Sequence, residues 1–441
     1  MADFDKLWAE GLRDLAAETP QLPQLSARAR RRIRAGRALT VVAGVAVLAG
    51  ICGGLVIGAQ ALSRVQPPAG TVHSATAYVL NTSSNTVTPI RTATSTALPP
   101  VKVGGTPCAI AVTPDGRTAY VASHGLAAGN AGTVTPIRTA TNTALPPIRV
   151  GRGPCAIAIT PDGRTAYVVN EFSGTVTPIR TATNAALPPI RVGRGPAAIA
   201  ITPDGRTAYV VNSASTPSCA DTVTPIQTAT DTALPPVKVG NCPGAIAITP
   251  DGKTAYVTNN DSGTVTPIRT ATNTTLPPIK VAPGRPGAPG RLFIAITPDG
   301  KTAYIVSQGT SQGDTVIPIQ TATNIALRPI REGPTFPHTL LPVTIAPDGK
   351  TAYVITNPRG GNHPDTVTPI QTATNTALAP ITAGKGSCAI AITPDGKTAY
   401  VTNSDSGTVT PIRTATSTAL PPIRVGHAPC AIAITPNRSA R

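Results

Sequence analysis

The chain has 441 residues, a formal net charge of +17, and only 13% charged and 3% aromatic residues. Its 48 prolines and 40 glycines exclude a long helical bundle, because both residue types destabilise helix interiors. With 41% hydrophobic residues in short, regular β-branched runs, it is too apolar and too patterned for a disordered chain.

Residues 1–37 read as a cytoplasmic tail. Phe4, Leu7, Trp8, Leu12 and Leu15 fall at helical spacing, and a basic run from Arg28 to Arg37 follows. Residues 38–63 carry no charge. At about 1.5 Å per residue they are long enough to cross a ~30 Å hydrocarbon core as a transmembrane signal-anchor helix. The arginines on its N-terminal side predict a cytoplasmic N-terminus and an extracytoplasmic remainder. The competing reading is a cleaved signal peptide, cut near Ala61 in Ala59-Gln60-Ala61, which gives a secreted protein. Gly50, Gly54 and Gly58 share one face of this helix, a spacing that favours self-association in a membrane. Residues 64–76 read as a linker.

Residues 77–437 are one unit repeated eight times, and 438–441 are a short tail. All eight tyrosines take the same place in the unit: Tyr78, Tyr120, Tyr167, Tyr209, Tyr256, Tyr304, Tyr353 and Tyr400. A representative unit runs Ala-Ile-Ala-Ile-Thr-Pro-Asp-Gly (245–252), Ala-Tyr-Val-Thr-Asn (255–259), Thr-Val-Thr-Pro-Ile (264–268) and Pro-Pro-Ile-Lys-Val (277–281). These are four short β segments, A to D, with Pro-Asp-Gly turning A into B. Such a period with several strands per unit marks a propeller or solenoid.

Ala255-Tyr256-Val257-Thr258-Asn259 and Ala399-Tyr400-Val401-Thr402-Asn403, each after a Pro-Asp-Gly turn, resemble the YVTN-family β-propeller repeat. That family includes archaeal surface-layer proteins and YncE-like extracytoplasmic bacterial proteins. The resemblance implies an all-β propeller of four-stranded blades. It implies no catalytic residues, because the motif is structural, and it keeps nucleic-acid binding open as a function.

The order of segments sets the blade count. The chain enters at segment B and ends on a lone segment A, Cys430 to Thr435. If that A pairs beside the first B, the ring closes with eight blades and no exposed sheet edge, the alternative being seven. The spacing from Tyr to the Thr that opens segment C varies between units, and so does the D-to-A spacing, while A–B and C–D connections are fixed. All length variation therefore falls on the one face that carries the B–C and D–A loops, where repeat proteins place binding residues. The candidates there are His124, Glu171, Phe172, Arg359 and His363 in B–C loops, and Arg285, Arg291, Phe336, His338 and His427 in D–A loops. None of the histidines is paired at ligand spacing, so neither a metal site nor a cofactor is expected.

Cys108, Cys155, Cys388 and Cys430 share one repeat position, where Ala197 stands in another unit, and they read as small buried thiols. Cys219 and Cys242 depart from that position and fall in neighbouring loops of one face, so they are a candidate disulfide. Bases outnumber acids 28 to 15 from residue 65 onward, which suits acidic envelope polymers, an envelope protein or nucleic acid as partners. Beyond the N-terminal tail only Glu171 and Glu332 are glutamates, and no hydrolase or phosphate-loop motif appears. These features predict a membrane-anchored, non-catalytic binding or structural scaffold at the cell envelope. A nucleic-acid-binding propeller and a lactonase-type propeller enzyme are the alternatives.

Overall fold

Strand B of the first repeat, Thr76–Asn81, buries Ala77, Tyr78, Val79 and Leu80 completely. Burial on both faces of a strand requires a layer above and a layer below. A ring of stacked blades supplies both. The computed structural model describes residues 75–124, 131–213, 220–282, 291–308, 315–330, 338–358 and 364–437. These form eight separate sheets, each ordered D–C–B–A from rim to axis.

The hydrophobic core lies between blades rather than in a central mass. One layer joins Ala109, Tyr120 and Val134 of blade 2 to Ile157, Ile159, Val168 and Ile179 of blade 3. Another joins Ala389, Tyr400 and Val409 of blade 8 to Ala77, Val79, Ile432 and Ile434 of blade 1. Blade 1 is assembled from both ends of the repeat region. Its inner strand Pro429–Ile434 pairs antiparallel with Thr76–Asn81, with Tyr78 opposite Ala433 and Val79 opposite Ile432. The closure expected from the segment order is thus present, and the ring has eight blades.

In seven of the eight blades the repeated tyrosine latches the blade to the next. Tyr120 of blade 2 is fully buried, and its hydroxyl donates to Asn184 Oδ1 at 2.7 Å in the C–D turn of blade 3. Asn184 holds φ +53°, a left-handed conformation that Asn tolerates better than most residues. Tyr78, Tyr167, Tyr209, Tyr256 and Tyr304 bond the equivalent Asn or Asp one blade on. Tyr400 of blade 8 reaches across the closure, 3.0 Å from Ser95 Oγ in blade 1. Burial, with the Asp115 charge added, pushes the Tyr120 hydroxyl up to about 12, so it stays a donor through the alkaline range. Replacing it by Phe leaves Asn184 short of its donor. Tyr120→Phe is expected to lower unfolding free energy by about 1 kcal/mol, read as a lower midpoint in urea at unchanged slope.

The prolines are placed where the ladder does not need them. Pro89 in strand C (Thr86–Arg91) accepts from Leu98 N at 2.8 Å, so its nitrogen faces the outer strand D. Strand D is split there into Thr96–Ala97 and Val101–Lys102 by Leu98-Pro99-Pro100. The missing N–H of Pro89 therefore has no partner to lose. The broken, proline-bearing edge also discourages pairing with a second molecule.

Two expectations need correction. Among the described residues no helix is long and apolar enough to cross a membrane. The single-span anchor, a membrane partner, self-association through Gly50, Gly54 and Gly58, and the placement derived from them are therefore not upheld. Residues 1–74, including the uncharged run 38–63 and the site near Ala61, lie outside the described residues. The second correction concerns His338. It is the first residue of an extended strand A in blade 7, His338–Ile345, rather than a loop residue, because that blade pairs A with an equally long strand B, Thr351–Pro358.

Candidate functional site

The B–C and D–A loops meet on one face, as the spacings predict, and they are tied by backbone bonds. In blade 2, His124 follows strand B (Thr118–Ser123) and its amide donates to Thr106 O at 3.2 Å. In blade 3, Glu171 and Phe172 follow strand B (Thr165–Asn170). Their amides donate to Gly153 O at 2.8 Å and Arg152 O at 3.2 Å in the preceding D–A loop. Gly153 has φ +64°, and a Cβ there would collide with the Phe172 ring in its present position, so glycine lets the ring lie against this loop.

These loops bring three candidates together. The His124 and Phe172 rings lie 6.4 Å apart between centroids, tilted by 57°. Phe172 is 61% exposed, an unusual amount for a phenyl ring, and forms an apolar lip beside the imidazole. Burial pushes His124 below its ordinary value, opposed by the nearby Glu171 charge and by a hydrogen bond to Pro154 O. Burial pushes Glu171 above the usual carboxylate range, opposed by His124. His124 Nε2 and Glu171 Oε2 are buried and have no hydrogen-bond partner. Nε2 is therefore the ring nitrogen left open to a ligand or water, and it can act as a base while the ring is neutral. Two such orphaned polar atoms are costly unless a ligand or water completes them.

The remaining candidates are dispersed. His427 is exposed in the seam between blades 8 and 1, its amide bonded to Ser84 Oγ at 2.7 Å. Arg291 is half-buried in the loop before strand A of blade 6, where burial pushes its guanidinium down to about 10. Arg285, Phe336, Arg359 and His363 lie outside the described residues. One residue was missed: exposed Arg152, whose amide donates to Ser173 Oγ at 2.6 Å beside Phe172. Its signal was the Gly-Arg-Gly-Pro loop, 151–154 and again 193–196, which places a cation on the variable face.

Cys242 is disulfide-bonded, whereas Cys108, Cys155, Cys388 and Cys430 are free. Cys219 lies outside the described residues, so its pairing with Cys242 stands as an expectation. Non-reducing tryptic mapping should find one peptide pair joining Cys219 to Cys242, and full alkylation of Cys219 without reductant would exclude it. Reduction of a bond closing that short loop should cost about 3 kcal/mol in the chain-entropy account.

Comparison with known proteins agrees on the fold. The profile of the family described as "Lactonase, 7-bladed beta-propeller" matches residues 137–280, a span that runs from blade 2 into blade 5 and includes Glu171 and Phe172. No curated protein matches the chain. Among solved structures, the dihydro-heme d1 dehydrogenase NirN is similar with a TM-score of 0.66 at 16% identity, over 84% of this chain and 77% of that one. A Bacteroides fragilis protein assigned as a 6-phosphogluconolactonase is similar with a TM-score of 0.55 at 18% identity, over 83% of this chain and 99% of its own. Hydrazine synthase of Kuenenia stuttgartiensis is similar with a TM-score of 0.54 at 24% identity, over 69% of this chain and 95% of its own. At such identities these likenesses establish the propeller fold. The ring here has one blade more than the family description names.

Proposed function

We propose that this propeller hydrolyses a lactone or related cyclic ester at the His124–Glu171 pair. The observation that carries the reading is the two buried, partnerless atoms His124 Nε2 and Glu171 Oε2, in neighbouring loops of the variable face and near enough for each charge to act on the other. The lactonase-type match over residues 137–280 supports it. It replaces the non-catalytic scaffold favoured by the composition. The YVTN-type repeat remains compatible, since those repeat residues build blades and leave chemistry to the loops.

The chemistry follows from the open ring nitrogen. Burial favours the neutral imidazole, so His124 accepts a proton at Nε2 from a water that attacks the ester carbonyl. The imidazolium then returns that proton to the ring oxygen as it leaves, opening the ring to a hydroxy acid. The Glu171 carboxylate stabilises the transient imidazolium and, by its own burial, keeps the pair in a weakly polar setting where that charge interaction is strong. Phe172 covers the apolar part of the substrate. Arg152 offers a cation to a carboxylate or phosphate substituent.

The test is a panel of γ- and δ-lactones, plain, carboxylated and phosphorylated, with ring opening followed by proton release. Hydrolysis of at least one member well above the buffer rate supports the reading. A panel left wholly unopened returns the molecule to the scaffold class.

A further inference from the structure

Among the described residues four large apolar side chains are exposed: Phe172 of the site above, and Ile325, Leu327 and Leu378 at 57%, 37% and 45%. The last three lie in or directly after the outer strand segments Ile325–Ala326 and Thr376–Ala377, in the neighbouring blades 6 and 7. The Tyr304 hydroxyl of blade 6 donates to Asn375 Oδ1 at 2.6 Å, which ties this stretch of blade 7 to blade 6. The same two blades depart from the repeat in further ways. Arg91, Arg138, Arg180, Arg269 and Arg413 end strand C in other blades, but Gln320 and Gln371 end it here. Blade 4 shares that change at Gln227, yet keeps Lys238 in strand D, where blade 7 has Thr382. Thr or Ala opens strand D in every blade except at Ile325. Leu-Pro-Pro, which interrupts strand D in six blades, becomes Leu327-Arg328-Pro329 and Leu378-Ala379-Pro380. Proline and basic side chains are the usual protection of an edge strand against pairing, and both are reduced here. Leu327 N and Leu378 N donate inward to Pro318 O and Pro369 O at 2.7 and 2.8 Å. Successive amides of an extended edge point opposite ways, so the N–H that Arg328 and Ala379 supply in place of proline is directed outward.

We infer that this sector of the rim is a docking surface for a second copy of the chain, held edge to edge across a two-fold axis. The charge pattern selects that occupant. The chain carries a net +17, so two copies repel wherever rim bases face one another. A like-charged partner is admitted only where those bases are taken away, whereas an acidic partner would lose attraction by their removal. A two-fold contact sets one patch against its own copy, so Gln320, Gln371 and Thr382 meet a surface equally depleted of bases. Arg328 is the base that stays exposed in this stretch, and burial of Ile325, Leu327 and Leu378 supplies the attraction. In a ring of eight, blades 6 and 7 stand opposite blades 2 and 3, so both copies keep the His124–Glu171 loops open.

The test is sedimentation of the full-length protein across a range of concentrations. A monomer–dimer equilibrium is expected, and added salt should tighten it by screening the remaining like charges. A quadruple variant, Gln320→Arg, Ile325→Thr, Gln371→Arg and Ala379→Pro, gives blades 6 and 7 the residues that other blades carry at those positions. It is therefore expected to keep the fold, checked by melting curves, while its dimer is weakened at least tenfold. Gln227→Arg makes the same charge change in blade 4 and should leave the dimer as it is. Hydrogen exchange at 320–330 and 371–380 should slow as the dimer forms, which separates this contact from association through residues 1–74. A monomer at every concentration, a dimer loosened by salt, equal dimerisation in the quadruple variant, an equal loss in Gln227→Arg, or unchanged exchange at those segments would each overturn the inference.

Discussion

His124→Ala is expected to lower kcat/KM for the preferred lactone by a factor of about 10² to 10⁴, the usual contribution of a positioned general base. The loop carrying His124 is held by backbone bonds, its amide to Thr106 O among them, so the imidazole can be removed without moving the strands. The pH dependence carries a sign. Burial pushes His124 below the ordinary imidazole value, so it stays neutral, and able to accept a proton, at pH values where an exposed histidine is already charged. The acid limb of the wild-type rate profile should therefore fall below pH ~6.5, the unperturbed histidine value. The Glu171 charge opposes that displacement. Glu171→Gln should accordingly move the acid limb lower still while reducing the maximal rate, because the imidazolium loses its counter-charge. An acid limb moving upward in Glu171→Gln would contradict the assignment.

Removing residues 428–441 is expected to have the larger effect on folding. The deletion takes away the inner strand of blade 1 with Ala431, Ile432, Ala433 and Ile434, all buried. Each fully buried isoleucine contributes roughly 1.5–3 kcal/mol, and the ladder to Thr76–Asn81 is lost as well. Those losses approach the ~5–15 kcal/mol by which a whole domain is stable. They also leave the edge of strand B in blade 1 unpaired, an invitation to aggregation. Thermal unfolding should show a fall in Tm well above 10 °C or insoluble protein. A truncated chain melting with the full-length protein would mean that the ring does not depend on this closure.

The fold was legible because eight copies of one unit state the same pattern in register. A single Ala-Tyr-Val-Thr-Asn run is an ordinary strand. Eight runs of that kind, each with its Ala-Tyr, entering at segment B and leaving at segment A, specify a closed ring. The latching role of the tyrosines was not legible, since each hydroxyl partner lies 61 or more residues away in the following blade. The site was half legible. Loop spacing identified the face that carries the variable loops and named His124, Glu171 and Phe172 among ten residues. It could not show that those three meet while His427 and Arg291 stay apart, because angular position around the ring is set by blade number rather than by loop length. The absence of a hydrolase motif does not bear on the proposed pair, for a related reason. The two groups of this pair come from different repeats, so no local sequence pattern records them.

The most direct test of the central claim is a side-by-side measurement of lactone opening by the intact protein and by the double variant His124→Ala/Glu171→Gln, with product identified by NMR and folding matched by melting curves. The account predicts that the intact protein opens at least one lactone to its hydroxy acid while the equally folded double variant stays at the buffer rate. Equal rates in the two proteins, or no opening by either, would contradict it.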